Sequence, residues 1–394
     1  MKKFSLSLAV IAVMATASYA DIKLESVGGS AKLFYDTNDA SGDLDLFNKA
    51  ASIGNVAANI NGVASLGKCD CTKLNFGITG VSTMGLENTL VGGTWIEYMD
   101  GLNDAVWIDT LNISFRPLDD ISNTTMVVGR QSLDTPMVFT EKWNIAENTY
   151  DAAVAVNTDI VDTTFVAGWI GRSNIAGAST VRAGNIGDGY QSFLTNEGAY
   201  AVGAITTAIP TVSAQAWYYA APSVANVAWV QAETEYAGFS LGGQFGMLDG
   251  SDDSDGNAFA VKVGYTFGDL GVSVAFSSVD DMTGTSAALG FANLGGSQSP
   301  LYTEAWWTYG QVSAQDTESF NVTATYNLAN IADFGIYYAN ADHGLDANPD
   351  MSEVVLSATK SIGNLDATLV YYNTDMDDGS DASNGVQAYL VYNF

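Results

Sequence analysis

The chain of 394 residues has little of what helical membrane proteins and many soluble proteins depend on. It contains six prolines, two cysteines and one histidine. After residue 20, no apolar run approaches the ~18 residues that a membrane-spanning helix needs, so a helical membrane protein is excluded. Cationic side chains are also scarce, because 14 Lys and Arg stand against 44 Asp and Glu, a formal charge of −30. Nucleic acid is not expected as a partner, since phosphate binding needs clustered Lys and Arg.

The few cysteines and the single histidine offer little chemistry. Cys69 and Cys71 are separated by one residue. In an oxidising compartment we favour a local disulfide, with free thiols or a redox role as alternatives, while a metal site would need further soft ligands. No Ser or Asp stands at a catalytic spacing from His343, so no enzyme and no cofactor are predicted. We interpret this residue as an isolated histidine at the rim of the fold.

The first 20 residues have the pattern of an export signal. Lys2 and Lys3 precede a short apolar run, residues 6–15, and Ser-Tyr-Ala at residues 18–20 is a small-residue cleavage site. The run is too short to cross a bilayer as a helix. We expect residues 1–20 to be a cleaved signal peptide and residues 21–394 to form one exported domain.

What the chain has in abundance is two-residue alternation. The last nine residues, 386–394, place Val386, Leu390 and Phe394 on one face and the polar Gln387 and Asn393 on the other. This period is typical of a strand with one apolar face. An aromatic residue at the very end of the chain favours the closing strand of a membrane barrel.

Similar segments of about nine to twelve residues recur along the chain, separated alternately by short turns and long polar loops. They predict an all-β fold, a transmembrane antiparallel β-barrel of about 18 strands, with 16 possible. The short turns are expected on the periplasmic side and the long loops outside, with outer-membrane lipid against the apolar faces. Strands are expected to start near residues 27, 50, 73, 105, 124, 150, 162, 198, 212, 226, 239, 258, 272, 318, 334, 352, 366 and 386.

A barrel of this size leaves a water-filled lumen unless something narrows it. The third outer loop, residues 134–150, is the candidate constriction. A constriction needs both a narrowed opening and a transverse electric field, and opposed cations and carboxylates supply that field. An ordinary solvated loop is the alternative. The predicted constriction residues are Arg130, Asp134, Pro136, Glu141, Lys142 and Glu147. Alternation predicts four further pore-lining residues: Glu233 and Glu235, with Arg116 and Lys262 as counter-charges.

Two Asp-rich segments, residues 249–256 and 375–381, suggest weak binding of Ca²⁺ by carboxylate oxygens. The candidate ligands are Asp249, Asp253 and Asp255. Neither segment has the twelve-residue frame of an EF-hand, and solvated acidic loops are the favoured interpretation.

Two segments resemble a known family. Gly-Arg-Gln-Ser-Leu-Asp-Thr-Pro at residues 129–136 is similar to the segment before the third loop of campylobacter-type major outer membrane porins and the related OprD-like porins. Leu-Tyr-Thr-Glu-Ala-Trp-Trp-Thr-Tyr-Gly at residues 301–310 resembles a late loop of the former. The resemblance implies a trimeric, fairly cation-selective diffusion channel, with Arg130 at the family's basic position and Pro136 as its loop proline. The chain departs from substrate-specific relatives in its few arginines, so a basic ladder for anions is not expected.

Together these features predict a bacterial outer-membrane porin, through which small hydrophilic solutes and cations diffuse passively. The acidic excess agrees with cation preference, because negative charge in a channel concentrates cations. Two alternatives stay open. One is a surface adhesin or structural barrel with a plugged pore, and the other is a substrate-specific outer-membrane channel.

Overall fold

A computed structural model describes residues 22–40, 44–67, 71–93, 104–142, 145–174, 189–251, 254–282, 290–329, 331–345 and 348–394. The predicted signal peptide lies outside these residues. The described strands are β1 (Ile22–Asn38), β2 (Ser52–Leu66), β3 (Thr72–Ser82), β4 (Asp104–Phe115), β5 (Thr124–Gln131), β6 (Asp134–Thr135), β7 (Val138–Phe139), β8 (Tyr150–Asn157), β9 (Thr163–Ser173), β10 (Gln191–Ser192), β11 (Ala199–Thr206), β12 (Val212–Ala221), β13 (Ala225–Tyr236), β14 (Phe239–Gly250), β15 (Asp255–Phe267), β16 (Leu270–Val279), β17 (Thr317–Leu328), β18 (Ala332–His343), β19 (Met351–Ile362), β20 (Leu365–Met376) and β21 (Ser383–Asn393).

The main sheet closes on itself. Each wall strand pairs antiparallel with the next, and the first strand, β1, also pairs with the last, β21, from Ser30↔Asn393 to Asn38↔Gly385. Of the 19 strands in this sheet, β10 is a two-residue extension beside β9, and the other 18 form the wall. The predicted closed antiparallel barrel of 18 strands is therefore confirmed, and the strand starts fall within a few residues of the predicted ones.

The alternation of the sequence sorts side chains between the outside and the inside of the barrel. On β15, Phe259, Val261 and Val263 are between 44% and 48% exposed, whereas Ala258 and Ala260 are at most 1% exposed. The apolar face therefore points outward and the opposite face points into the lumen, which is the arrangement typical of transmembrane β-barrels.

The two ends of the barrel differ. One end carries short turns, and exposed aromatic side chains gather there on the outer surface, as in an interfacial girdle: Tyr236, Phe239, Tyr265, Phe267, Phe334, Tyr392 and Phe394. Nine connections lie at the other end. One of them, residues 222–224, is too short to be noticed from the sequence. The acidic segment 249–256 begins and ends in strand, because β14 extends to Gly250 and β15 begins at Asp255.

Three of these nine connections matter for the site. They are the third, the seventh and the eighth, and the names L3, L7 and L8 stand here for their described residues: 132–142 and 145–149 for L3, 280–282 and 290–316 for L7, and 344–345 and 348–350 for L8. The largest apolar cluster of the described residues lies inside the barrel mouth, where L3 and L7 pack against the inner faces of β9 and β11–β15. Three short 3-10 helices are described, Lys49–Ala51, Leu86–Asn88 and Gln311–Ser313. No described helix has the length and apolar character needed to cross a membrane.

Candidate pore constriction

L3 and L7 form one packed unit within the barrel. The Leu294 N–H donates to the Met137 carbonyl at 2.8 Å. Asn293 bonds Phe139 twice, because its Nδ2 donates to the Phe139 carbonyl at 2.9 Å and its Oδ1 accepts the Phe139 N–H at 3.1 Å. Any narrowing of the lumen is therefore built by two loops, whereas the sequence predicts L3 alone.

The first half of L3 packs into the apolar cluster inside the barrel mouth, called the loop cluster below. It is a small hairpin, β6–β7, that contains the predicted constriction residues Asp134 and Pro136. Its turn buries Met137 and Val138 completely, and the Met137 N–H lies 3.3 Å from the hydroxyl of the wall residue Tyr219. The hairpin is held by apolar burial, and Asp134 takes part in no ion pair among the described residues.

The placement of Glu141 in the lumen is wrong. Its side chain is 3% exposed, and Oε1 accepts the N–H groups of Ser297 at 2.5 Å and Gln298 at 2.7 Å, and Nδ2 of Asn293 at 3.1 Å. A carboxylate surrounded in this way holds L7 to L3. The sequence showed an acidic residue in a loop but not the backbone amides that would cover it.

A second buried carboxylate, missed by the sequence analysis, ties L7 to the wall. Glu353 on β19 is 2% exposed. Its two oxygens accept the N–H groups of Trp306 at 2.7 Å, Trp307 at 3.0 Å and Thr308 at 2.8 Å, and the Thr308 hydroxyl at 2.9 Å. A buried carboxylate costs several kcal/mol unless such donors compensate it, so Glu353 fixes this turn of L7. Its only sequence signal is an acidic residue on the inner face of a predicted strand.

A third buried carboxylate lies in L7 itself. Oε1 of Glu304 accepts the Gly310 N–H at 2.8 Å. Burial, with the negative charges of Glu141 and Glu353 nearby, raises the pKa of Glu304 well above its usual value. The loop is therefore packed around a carboxylic acid that favours its neutral form.

Among the described residues, two cavities with volumes of about 700 and 580 Å³ lie in the lumen beside these loops. Lys32 and Val391 of the wall and Ile145 of L3 line both of them. The second half of L3 therefore stands between the two spaces, and Lys142 and Glu147, two of the predicted constriction residues, face one cavity each.

The larger cavity is lined by aromatic rings. Trp306 lies 5.0 Å from Tyr337, and Phe34 lies 4.9 Å from Tyr389, measured between ring centroids. Trp307 and Tyr302 of L7 complete the surface. Exposed Lys142 supplies a positive charge to the same space, so the cavity offers flat apolar faces together with a cation.

The smaller cavity is lined mainly by amides, hydroxyls and charges. Asp109 accepts hydrogen bonds from Asn59 Nδ2, at 2.8 Å, and from the Thr79 hydroxyl. Nζ of Lys32 lies 3.7 Å from Oε1 of Glu147, so a cation of the wall and a carboxylate of L3 meet across the boundary of the two cavities. Opposed charges therefore meet here, but the cation is Lys32 of the wall, whereas the sequence analysis assigned the cations of the constriction to Arg130 and Lys142.

Arg130 does not reach freely into the opening. Its Nε lies 2.8 Å from Oδ1 of Asp151, its Nη1 donates to the Ile108 carbonyl at 2.7 Å, and its guanidinium lies 3.2 Å from the ring centre of Tyr190. Arg172 contacts the same Asp151 carboxylate at 2.7 Å. The cluster braces the wall where L3 begins.

Of the four predicted pore-lining residues, two meet. Nζ of Lys262 lies 3.3 Å from Oε1 of Glu233 and 4.2 Å from the ring centre of Tyr302, so this pair also contacts L7. Glu235 is exposed on the same inner face, two residues nearer the short turns. The prediction for Arg116 is wrong, because it lies beyond the end of β4 and pairs with Asp119 of its own turn at 2.9 Å.

The candidate calcium ligands do not assemble among the described residues. Asp249 and Asp255 pair across β14 and β15, Asp253 lies outside the described residues, and no described group of three His, Cys, Asp or Glu side chains is suited to a metal ion. Cys71 is disulfide-bonded. The other cysteine, Cys69, lies outside the described residues.

No protein-family model matches the sequence, and no curated protein matches it. Solved structures do match. OccK9 (OpdG) of Pseudomonas aeruginosa is 13% identical with a TM-score of 0.72, covering 95% of this chain and 98% of that one. OpdO of the same organism is 15% identical with a TM-score of 0.70, covering 94% and 98%. The outer membrane protein OpdK is 11% identical with a TM-score of 0.71, covering 94% and 99%. The closed barrel therefore has the fold of these Pseudomonas aeruginosa structures.

Proposed function

We propose that this chain is a porin of the bacterial outer membrane, through which small hydrophilic solutes diffuse passively. The observation that carries this proposal is that L3 and L7 fold into a closed barrel and still leave two cavities, one of about 700 Å³ lined mainly by aromatic rings with Lys142 and one of about 580 Å³ lined mainly by charged and hydrogen-bonding side chains. The likeness to outer-membrane channel structures supports it. Assembly as a homotrimer is part of the proposal, and the apparent mass of the unheated protein in mild detergent tests it.

Purified protein in planar bilayers and in liposomes tests the channel itself. We expect ion conductance, and swelling of liposomes in small sugars. A barrel that inserts, shows the heat-dependent gel shift of a folded porin and gives neither signal is plugged, and that result would support the structural or adhesin role instead.

Cation preference is the finer part of the proposal. It rests on the formal charge of −30 and on Glu233 and Glu235 on the inner face of β13. Replacing both by Gln leaves Lys262 without its partner, so the reversal potential in a KCl gradient should move toward anion preference. Glu318→Gln is the matched control, because this exposed residue at the outer end of β17 contacts neither cavity. Equal reversal potentials in all three proteins would reject the assignment.

A second candidate function is a channel selective for aromatic carboxylates. One neighbouring structure is OpdK of Pseudomonas aeruginosa with vanillate, 12% identical to this chain. The larger cavity here joins aromatic faces to Lys142, which suits a flat ring with a carboxylate. In the same bilayer recordings, saturable reduction of ion current by vanillate, lost in Lys142→Gln, would favour this function over general diffusion.

A further inference from the structure

His343, the chain's single histidine, is not the isolated rim residue that the sequence suggested. It ends β18 and is 7% exposed. Its ring bridges two loops, because Nδ1 lies 2.9 Å from the carbonyl oxygen of Pro349 in L8 and Nε2 lies 3.2 Å from the carbonyl oxygen of Gln311 in L7.

Both partners of this ring are carbonyl oxygens, which can only accept hydrogen bonds. The number of protons on the ring therefore decides how many of the two contacts are hydrogen bonds. A neutral imidazole carries one N–H, so it donates to one of the two carbonyl groups and leaves its bare nitrogen facing the other. The imidazolium carries an N–H on each nitrogen and satisfies both. The buried geometry is therefore complete only when His343 is doubly protonated.

The charged groups on the surrounding segments are acidic. Asp350 of L8 accepts the backbone N–H of His343 at 2.8 Å, and Asp316 of L7 accepts the Gly344 N–H through its carbonyl at 2.7 Å. Glu318 and Asp342 face each other across β17 and β18 beside it. No Lys or Arg is found among the residues that the structure describes on these segments.

The contact to Gln311 reaches the turn that packs L7. Gln311 opens the 3-10 helix Gln311–Ser313, and the Ser313 carbonyl accepts the Phe291 N–H at 3.0 Å inside the loop cluster. Gly310, one residue earlier, donates to Glu304. His343 therefore holds the outer part of L7, while Glu353 holds its inner part.

We propose that His343 is a proton-dependent latch, which holds L7 and L8 together when doubly protonated and releases one of them when it loses a proton. Imidazole side chains exchange this proton at about pH 5–8, so the latch responds to the pH range outside a bacterium. The effect on the aperture rests on the proposed channel function, whereas the protonation state does not.

Nitrogen NMR of protein labelled only in histidine tests the latch directly, because one residue gives one pair of ring signals. We expect both nitrogens to carry protons at pH 5.5 and one to be bare at pH 8.5. A bare nitrogen at pH 5.5, or two protonated nitrogens throughout, would overturn the proposal whether or not the barrel conducts.

Bilayer recordings test the effect of the latch on the channel. Both proteins that are compared carry Glu304→Gln, so that titration of Glu304 does not contribute. Loss of one hydrogen bond should raise the frequency of current fluctuations about three- to tenfold between pH 5.5 and 8.5. Adding His343→Gln should abolish that rise, with the heat-dependent gel shift confirming a folded barrel. Conductance with the same rise in both proteins would overturn the latch but leave the porin proposal intact, whereas no conductance in the wild type would reject the porin.

Discussion

Three glutamates inside the barrel show how much the role of one residue depends on what covers it. Glu141 and Glu353 are surrounded by backbone N–H donors, and each holds L7 through these hydrogen bonds. Glu304 lies close to both, and the fold instead favours its neutral form. A buried carboxylate is stable as an anion only where hydrogen-bond donors replace its hydrating water. Acids of the same type therefore differ according to their surroundings, and burial favours the neutral form of Glu304.

The raised pKa of Glu304 predicts that the packing of L7 weakens as pH rises. The folded state holds the proton at pH values where the unfolded chain, with a carboxyl pKa near 4.3, has released it. Stability is therefore greatest below the unfolded pKa and falls as pH rises toward the folded one, by a factor of about ten per pH unit in the folding equilibrium.

Amide exchange of residues 306–313, corrected for intrinsic rates, measures this effect. We expect protection to fall between pH 5 and pH 8 in the wild type and to fall less in Glu304→Gln, which imitates the neutral acid. Comparison is made with the His343→Gln protein to separate the two groups. Identical pH profiles for the wild type and Glu304→Gln would contradict the assignment.

At the scale of elements, L7 depends on the wall for its position. Glu353→Gln places an amide NH₂ among N–H donors and removes the charge that the Trp306, Trp307 and Thr308 amides compensate. Each buried donor left without an acceptor costs ~1–3 kcal/mol, so this turn should detach from β19.

Single-channel conductance should rise in Glu353→Gln, because L7 no longer narrows the lumen, and the emission of its two tryptophans should shift to longer wavelength as water reaches them. Glu318→Gln on β17, which is separated from β19 by β18, removes a carboxylate without touching L7 and should conduct as the wild type does. Unchanged conductance and emission in Glu353→Gln would mean that the loop holds its position without the wall.

The wall strands were predictable and the loops were not, for a physical reason. A strand in a barrel has one face in lipid and one in the lumen, so its period of two is written in the sequence. L7 has no such period. Its position depends on Glu353, which lies about forty residues later in the chain and carries no local signal.

Adjacent aromatic residues show the same limit within a strand. Alternation turns Trp217 and Tyr219 inward to the apolar cluster, where they are 4% and 1% exposed, while Tyr218 between them faces outward at 48%. A run of aromatic residues has no polar partner to mark its inner face. The two-residue period alone determines which rings point outward. The inward rings pack against the loops inside the barrel, and the strand sequence gives no sign of that packing.

At the scale of the whole molecule, the stability of the barrel depends on the pairing of β1 with β21, which closes it. Phe394 completes that seam, because its N–H donates to the Gly29 carbonyl at 3.0 Å and its carbonyl accepts the Gly29 N–H at 2.9 Å. Its ring is 57% exposed on the outer surface and stacks with Tyr392 at 6.4 Å. The residue therefore contributes backbone pairing to the seam and an aromatic ring to the outer surface of the barrel.

Two variants separate these contributions. Deletion of Phe394 removes both hydrogen bonds and the ring, whereas Phe394→Ala keeps the bonds and removes the ring alone. Because unpaired backbone groups are costly in a membrane wall, the deletion should lower the temperature of the heat-dependent gel shift more than Phe394→Ala does. If the ring is the main contribution, through the interface with lipid, the two variants will shift equally. That result would mean that the seam is held by the remaining pairs from Ser30 to Asn38, and that the aromatic end of the chain acts outside the wall.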